Sequence, residues 1–364
     1  MKMNLHLLSQ MRKASRKLLK QTPVDPAAIV KEALKNAGAF GQGGVPPAKS
    51  APDMLAELQR SMETMRGQFG GAFGDQFGAA AGQQAPSWPG SFTEGSHTTS
   101  AGTRSYKLYV PSTYEENGIA APLVVMLHGC TQDPDDFAHG TGMNALAEEL
   151  GCLVVYPAQS QAANPSRCWN WFNENDQQRG QGEPAIIAGI TRAIMETHAV
   201  DSRQVYVAGL SAGGAMAIIM GTLYPELYAA VGVHSGLPFA SARDLPSALA
   251  AMKGDFLRSQ APGRSLPIIV FHGDRDTTVH PANGEELVAR GRARRTAVEP
   301  GQVPNGHAFT RTTHHHDDGS LHAEHWVIHG AGHAWSGGNA RGSYTDGKGP
   351  DASREMLRFF RTQR

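Results

Sequence analysis

The spacing of apolar residues changes along this chain, and the change divides it near residue 100. Beyond residue 101, short near-continuous apolar runs at 104–110, 122–128, 152–156, 204–208, 229–234, 267–272 and 323–329 read as strands. Between several of them, at 141–150, 183–198, 212–223, 283–292 and 351–361, the patterning is helical. Alternating strands and helices, with the strands apolar throughout, predict an α/β fold: a mostly parallel sheet covered by helices on both faces.

The first hundred residues have another texture. In the first twenty, Lys2, Arg12, Lys13, Arg16, Lys17 and Lys20 interleave with Leu5, Leu8, Met11, Leu18 and Leu19, and no acid intervenes. That pattern predicts a basic amphipathic helix. Farther on, Leu55, Leu58, Met62, Met65 and Phe69 step by three and four, the seam spacing of a coiled coil, which offers a route to a homodimer. The stretches around them, "GAFGQGGVPPAKSAP" and "GGAFGDQFGAAAGQQAPSWPGS", are rich in Gly, Ala, Gln and Pro and read as flexible linker. The expected organisation is therefore an N-terminal extension over 1–100 and one α/β domain over 101–364.

Composition narrows the classes. The 33 basic and 33 acidic residues balance, so no field for nucleic acid is implied. No run approaches the roughly 18 apolar residues of a membrane-spanning helix. The N-terminus lacks the apolar core and small-residue cleavage site of a Sec signal peptide. Three cysteines, Cys130, Cys152 and Cys168, leave at least one unpaired, which is no secreted disulfide framework. A cytoplasmic location is the expectation.

The candidate chemistry centres on "VYVAGLSAGGAMA", residues 205–217. An apolar strand runs into Gly209-Leu210-Ser211-Ala212-Gly213, and a small-residue helix follows. This fits a nucleophile elbow, the sharp strand-to-helix turn that exposes a serine hydroxyl. Such a serine needs a base, and the base needs an orienting acid. In the order serine, acid, histidine, the strand "LPIIVFHG" is followed by Asp274 and Asp276, and the strand "EHWVIHG" by His333. Asp276 is preferred, because Asp274 leaves the strand at once and is placed to brace the turn. His329 is the rival base, but it sits in the strand-ending run. An oxyanion needs converging backbone N–H donors. Ala212, after the serine, supplies one, and Cys130, in "LHGCTQ" after an earlier strand, the other. His314, His315, His316 and Asp317 read as a hairpin tip rather than a metal site, and no cofactor is called for.

Five motifs, "LHGCTQ", "CWNWF", "GLSAGGAM", "HGDRDTTV" and "GHAWSGG", together resemble the esterase family of polyhydroxybutyrate depolymerases, which includes feruloyl and acetylxylan esterases. The resemblance covers roughly residues 101–364. It implies an α/β-hydrolase fold, the triad Ser211, Asp276 and His333, and Cys130 in the oxyanion loop. With no signal peptide or downstream domain, the chain looks most like intracellular members that carry a secreted-type catalytic domain and act on storage granules. In "RCWNWFNEND", Trp169, Trp171 and Phe172 suggest an apolar wall for an acyl chain or aromatic ring, with Trp335 lining the same cleft and His128 beside it. Cys130 and Cys168 both flank proposed site loops, so they are candidate neighbours for a disulfide on oxidation; in a reducing cytoplasm they stay free.

The expected function is a serine esterase hydrolysing poly(3-hydroxybutyrate) or its oligomers through an acyl-enzyme, with the basic N-terminus reaching a granule surface. A small-molecule carboxylesterase, feruloyl or acetylxylan, is the alternative. A non-catalytic granule protein is a further one, and the complete triad argues against it.

Overall fold

The computed structural model describes residues 88–114, 119–257, 265–290 and 295–363. Both amphipathic segments expected before residue 70 lie outside them. The strands of the main sheet are β1 Ser91–Thr99, β2 Gly102–Val110, β3 Ala121–Leu127, β4 Leu153–Pro157, β5 Val200–Leu210, β6 Ala230–His234, β7 Ile268–Gly273, β8 Arg295–Gln302, β9 Ala308–His315 and β10 Leu321–Ile328. They form one ten-stranded sheet in the order β1-β2-β4-β3-β5-β6-β7-β10-β9-β8. From β4 through β10 the neighbours pair in parallel, and an antiparallel hairpin closes each edge. The α/β expectation holds.

The domain begins earlier than expected. β1 occupies residues assigned to linker, pairing with β2 from Ser91↔Val110 to Thr99↔Gly102. Its Ser, Thr, Gly and His content hid it, since an edge strand needs only one half-buried face. Phe92 supplies that face, packing edge-on against Tyr109 and Tyr156. The boundary therefore falls before Ser91, within a unit that starts at Pro86, and not at 101.

The helices follow their end signals. α1 Pro134–Thr141 starts with Pro134 after Asp133, whose side chain accepts from the Asp136 N–H at 3.0 Å. The expected helix at 141–150 is α2, Met143–Leu150, cut from α1 by Gly142 at φ 63°. α3 spans Gly182–Thr197, α4 Ala212–Leu223, α5 Leu245–Met252, α6 Ala282–Ala289 and α7 Ala352–Arg361. On α7 the apolar stripe of Met356, Phe359 and Phe360 is fully buried. Phe360 stacks on Tyr206 of β5 with ring centroids 4.7 Å apart. That packing covers one face of the parallel strands, and α3 and α4 lie in the core of the other.

Four histidines stand in these strands or just beyond them. His128 follows β3, His234 closes β6, His272 lies in β7 and His325 in β10, all buried. Burial pushes His128 down to about 4, His234 to about 3 and His325 to about 4. An unfolded histidine titrates near 6.5, so below that pH the unfolded chain binds more protons than the folded one, and stability rises with pH through the window. Acidification from about pH 7 to about pH 4.5 is expected to lower the thermal midpoint steadily, each of these histidines contributing up to about 1.4 kcal/mol per pH unit. Calorimetry across that range checks this, and a flat profile would contradict it.

Candidate active site

The elbow is set by sterics. β5 ends at Leu210, α4 starts at Ala212, and Ser211 between them takes φ 58° and ψ −119°. A Cβ on Gly213 would fall onto the Leu127 carbonyl and within 2.6 Å of the His128 carbonyl oxygen. A Cβ on Gly209 would strike the backbone of Gly213 and lie 2.7 Å from the Leu127 oxygen. Only glycine lets the first turn of α4 pass this close to the end of β3. Ser211 N–H donates to the His234 carbonyl at 2.9 Å, which ties the elbow to β6.

The loop after β7 carries Asp276, the expected acid. Asp276 is buried, and its Oδ1 accepts from the N–H groups of Thr278 at 2.9 Å and Val279 at 2.8 Å. Its Oδ2 lies 2.7 Å from His333 Nδ1. Burial alone would raise the Asp276 pKa. The interactions with His333 and His272 outweigh it and hold the carboxyl well below the usual carboxylate range. The loop after β10 reaches this carboxylate because β7 ends in Gly273, where a Cβ would meet the Ala331 and Gly332 backbone at 2.7 Å.

The two rivals pair with each other. His329 Nδ1 lies 2.9 Å from Asp274 Oδ2, and Asp274 Oδ1 accepts from the Gly330 N–H at 2.7 Å. That couple is 44% and 39% exposed at its side chains, against 9% and 0% for His333 and Asp276. Asp274 braces the turn, as its place at the strand end suggests.

His234 links the elbow to the histidine loop. Besides the Ser211 bond to its carbonyl, its ring Nε2 accepts from the Ser336 N–H at 3.0 Å, three residues past His333. Its ring also stacks on Trp335 at 5.3 Å. Ser211 and His333 therefore sit on loops fastened to one residue of the strand between β5 and β7.

The loop after β3 is stapled. Cys130 and Cys168, expected as candidate neighbours, form a disulfide with Cα atoms 4.2 Å apart. Thr131 N–H donates to the Ser166 carbonyl at 2.6 Å, and Arg167 pairs with Asp133 at 3.2 Å. Gly129 N–H is held by Gln132 Oε1 at 2.9 Å. Among the described residues the N–H groups of Cys130 and Ala212, the two expected oxyanion donors, have no acceptor.

The expected substrate wall needs correction. Trp169 and Trp335 are fully buried and line no open cleft. Trp169 packs against the His128 ring at 5.7 Å, and Trp335 donates its Nε1–H to Ser353 Oγ at 3.0 Å while packing on Phe137. His128 is buried too: Nδ1 bonds the Gly129 carbonyl at 2.7 Å, and Nε2 accepts from the Gln159 N–H at 3.1 Å. With both nitrogens engaged, it supports the loop from beneath and has none left for substrate. Trp171 keeps 6% exposure, beside the half-buried Phe172. The "HHHDD" segment behaves as a hairpin: His314 and His315 end β9, and His316 N–H closes the turn on the Ser320 carbonyl at 2.9 Å. Sequence reasoning overlooked the inward roles of His234 and His272. The signal was a histidine next to Gly or Ser at the end of an apolar run, in "VHSG" and "FHG" as in "LHG".

Comparison with known proteins agrees with this geometry. Residues 104–295 match the family model described as esterase PHB depolymerase. Poly(3-hydroxyalkanoate) depolymerase C of Paucimonas lemoignei is 36% identical over 203 residues, 52% of this chain and 48% of that protein. Feruloyl esterase B of Thermothelomyces thermophilus is 30% identical over 200 residues, 50% of this chain and 67% of that one. The chain thus spans about half the length of the first relative. An acetyl xylan esterase from Aspergillus awamori shares the α/β-hydrolase fold, with TM-score 0.57 at 20% identity over 74% of this chain and 99% of that one. With more than half of its length matched, the chain belongs to the esterase PHB depolymerase family.

Proposed function

We propose that the chain is a serine esterase that hydrolyses ester bonds of poly(3-hydroxybutyrate) or its oligomers. The observation that carries the chemistry is the buried 2.7 Å bond between Asp276 Oδ2 and His333 Nδ1, at the sheet end where Ser211 tops its elbow. Asp276 keeps the proton on Nδ1, so Nε2 is free to take the proton of the Ser211 hydroxyl. The alkoxide oxygen attacks the ester carbonyl, and the N–H groups of Cys130 and Ala212 receive the developing oxyanion. The imidazolium of His333 then protonates the departing alcohol, leaving an acyl-enzyme on Ser211. Water, deprotonated by His333, attacks that ester, releases the acid and restores the serine.

The polyester reading is supported by the 36% identity to a polyhydroxyalkanoate depolymerase. The feruloyl esterase relative, matched over 67% of its own length, favours a small-ester reading as the alternative. Side-by-side turnover of amorphous polyhydroxybutyrate granules, hydroxybutyrate oligomers and methyl ferulate separates them. The polyester reading requires the first two to exceed the third.

Ser211→Ala is expected to lower kcat by about 10⁴-fold or more with the fold intact. Fluorophosphonate labelling at another serine would overturn that assignment. Asp276→Asn is expected to reduce kcat by roughly 10⁴-fold, by leaving the imidazole in the wrong tautomer. Asp274→Asn, which touches only the exposed couple, should have a far smaller effect. A reversal of the two makes Asp274 the acid.

The N-terminal extension is proposed to bring the enzyme to a granule surface, its basic amphipathic start burying one face in the interface. Because β1 starts at Ser91, the informative truncation removes residues 1–85. It is expected to spare turnover of a soluble ester and to reduce granule binding and polymer hydrolysis sharply. A change from dimer to monomer with polymer hydrolysis intact would instead assign the segment to self-pairing.

A further inference from the structure

His272 stands four residues before Asp276, with its side chain fully buried at the end of β7. Its Nε2 lies 2.8 Å from the Val279 carbonyl oxygen and 3.5 Å from Asp276 Oδ2. A carbonyl only accepts, so Nε2 carries the hydrogen. The other nitrogen, Nδ1, is buried without a partner among the described residues. It faces Gly284 of α6, where an ideal Cβ would lie 2.8 Å from it and 3.2 Å from His325 Nε2, which is likewise unpartnered. The neighbouring titratable groups are thus His325 from β10, His234 from β6, and Asp276 with His333 beyond it.

The Asp276 carboxylate is held asymmetrically. Two backbone N–H groups fix Oδ1, one of them from Val279. Oδ2 has only side-chain company, His333 at 2.7 Å and His272 at 3.5 Å. Val279 joins the two groups: its N–H holds the carboxylate and its carbonyl holds the imidazole. The His272 N–H is therefore aimed along the edge of the carboxylate. At 3.5 Å it steers Oδ2 electrostatically while its main bond goes to Val279.

We propose that His272 is a positioning residue for ester hydrolysis, fixing the Asp276 oxygen that orients His333. The role rests on the triad reading above. A carboxylate anchored at one oxygen alone can swing about its terminal torsion, and displacement of the His333 imidazole follows. Misplacement of reacting groups by about 1 Å lowers rates by up to about 10²-fold without weakening substrate binding.

The test compares His272→Gln with His272→Asn. Glutamine carries an amide N–H near the position of Nε2, whereas asparagine reaches only as far as Nδ1, and both keep a polar side chain in the site. With a soluble short-chain ester, His272→Asn is expected to lower kcat about 10-fold with KM within about twofold, and His272→Gln to recover most of that loss. Placed on Asp276→Asn, His272→Asn should add no further loss, because its effect passes through the carboxylate. Equal activity of the Gln and Asn variants overturns the role, and so does a loss that multiplies with that of Asp276→Asn. An Asp276→Asn enzyme with intact turnover refutes the triad reading and this role with it. A silent His272→Asn beside an inactive Asp276→Asn refutes this role alone.

Discussion

The site depends on one steric crossing, the passage of the first turn of α4 beneath the end of β3. The carbonyls of Leu127 and His128 lie where a side chain on residue 213 would begin, and Gly209 meets the same crossing from the strand side. No packing adjustment relieves a clash of this kind, because its far side is backbone. Bringing the helix this close is what forces Ser211 to a positive φ and lifts its hydroxyl off the sheet. The same contact sets the start of α4 against the Leu127 and His128 carbonyls, at the head of the loop that carries Cys130. The proposed nucleophile and oxyanion donors thus stand on the two sides of one contact.

The acid and base follow from burial. Two Asp–His couples lie side by side between the loops after β7 and β10, and their chemistry is identical. Their surroundings differ. Exposed to water, the Asp274–His329 couple is weakly coupled and serves the turn. Asp276 is withdrawn from solvent and held by two backbone N–H groups, so its charge acts on His333 through a medium of low dielectric. The structure thereby distinguishes a brace from a candidate triad without any difference in residue type.

What was legible in the sequence follows the same division. The parallel strands were readable from their apolar runs and α4 from its small and apolar residues, and the elbow was readable because its glycines are sterically required. The order of serine, acid and histidine pointed to the two loops that the structure joins through Asp276 and His333. Long-range facts were not readable. β1 is polar enough to pass for linker, and only its pairing with β2 makes it a strand. α1 was missed: the expected helix started at 141, and the eight residues of Pro134–Thr141 carry only an Asp133 cap and Pro134 as start signals. The tryptophans of "CWNWF" looked like a wall for substrate, since sequence composition does not tell a buried indole from one that lines a cleft.

That last correction bears on how the enzyme meets its substrate. With Trp169 buried against His128 and Trp335 buried against His234, the large aromatic rings support the site from beneath. Their contribution is rigidity: Trp169 stiffens the oxyanion loop, and Trp335 the loop that carries His333. The disulfide at Cys130 and the ion pair between Arg167 and Asp133 act in the same sense at the surface. Under the proposed polyester reading such a frame is an advantage, because a chain end or loop drawn from a solid arrives with little freedom to adapt. Preorganised donors would then meet the ester without reorganising, and the lowered barrier would come from the fixed site.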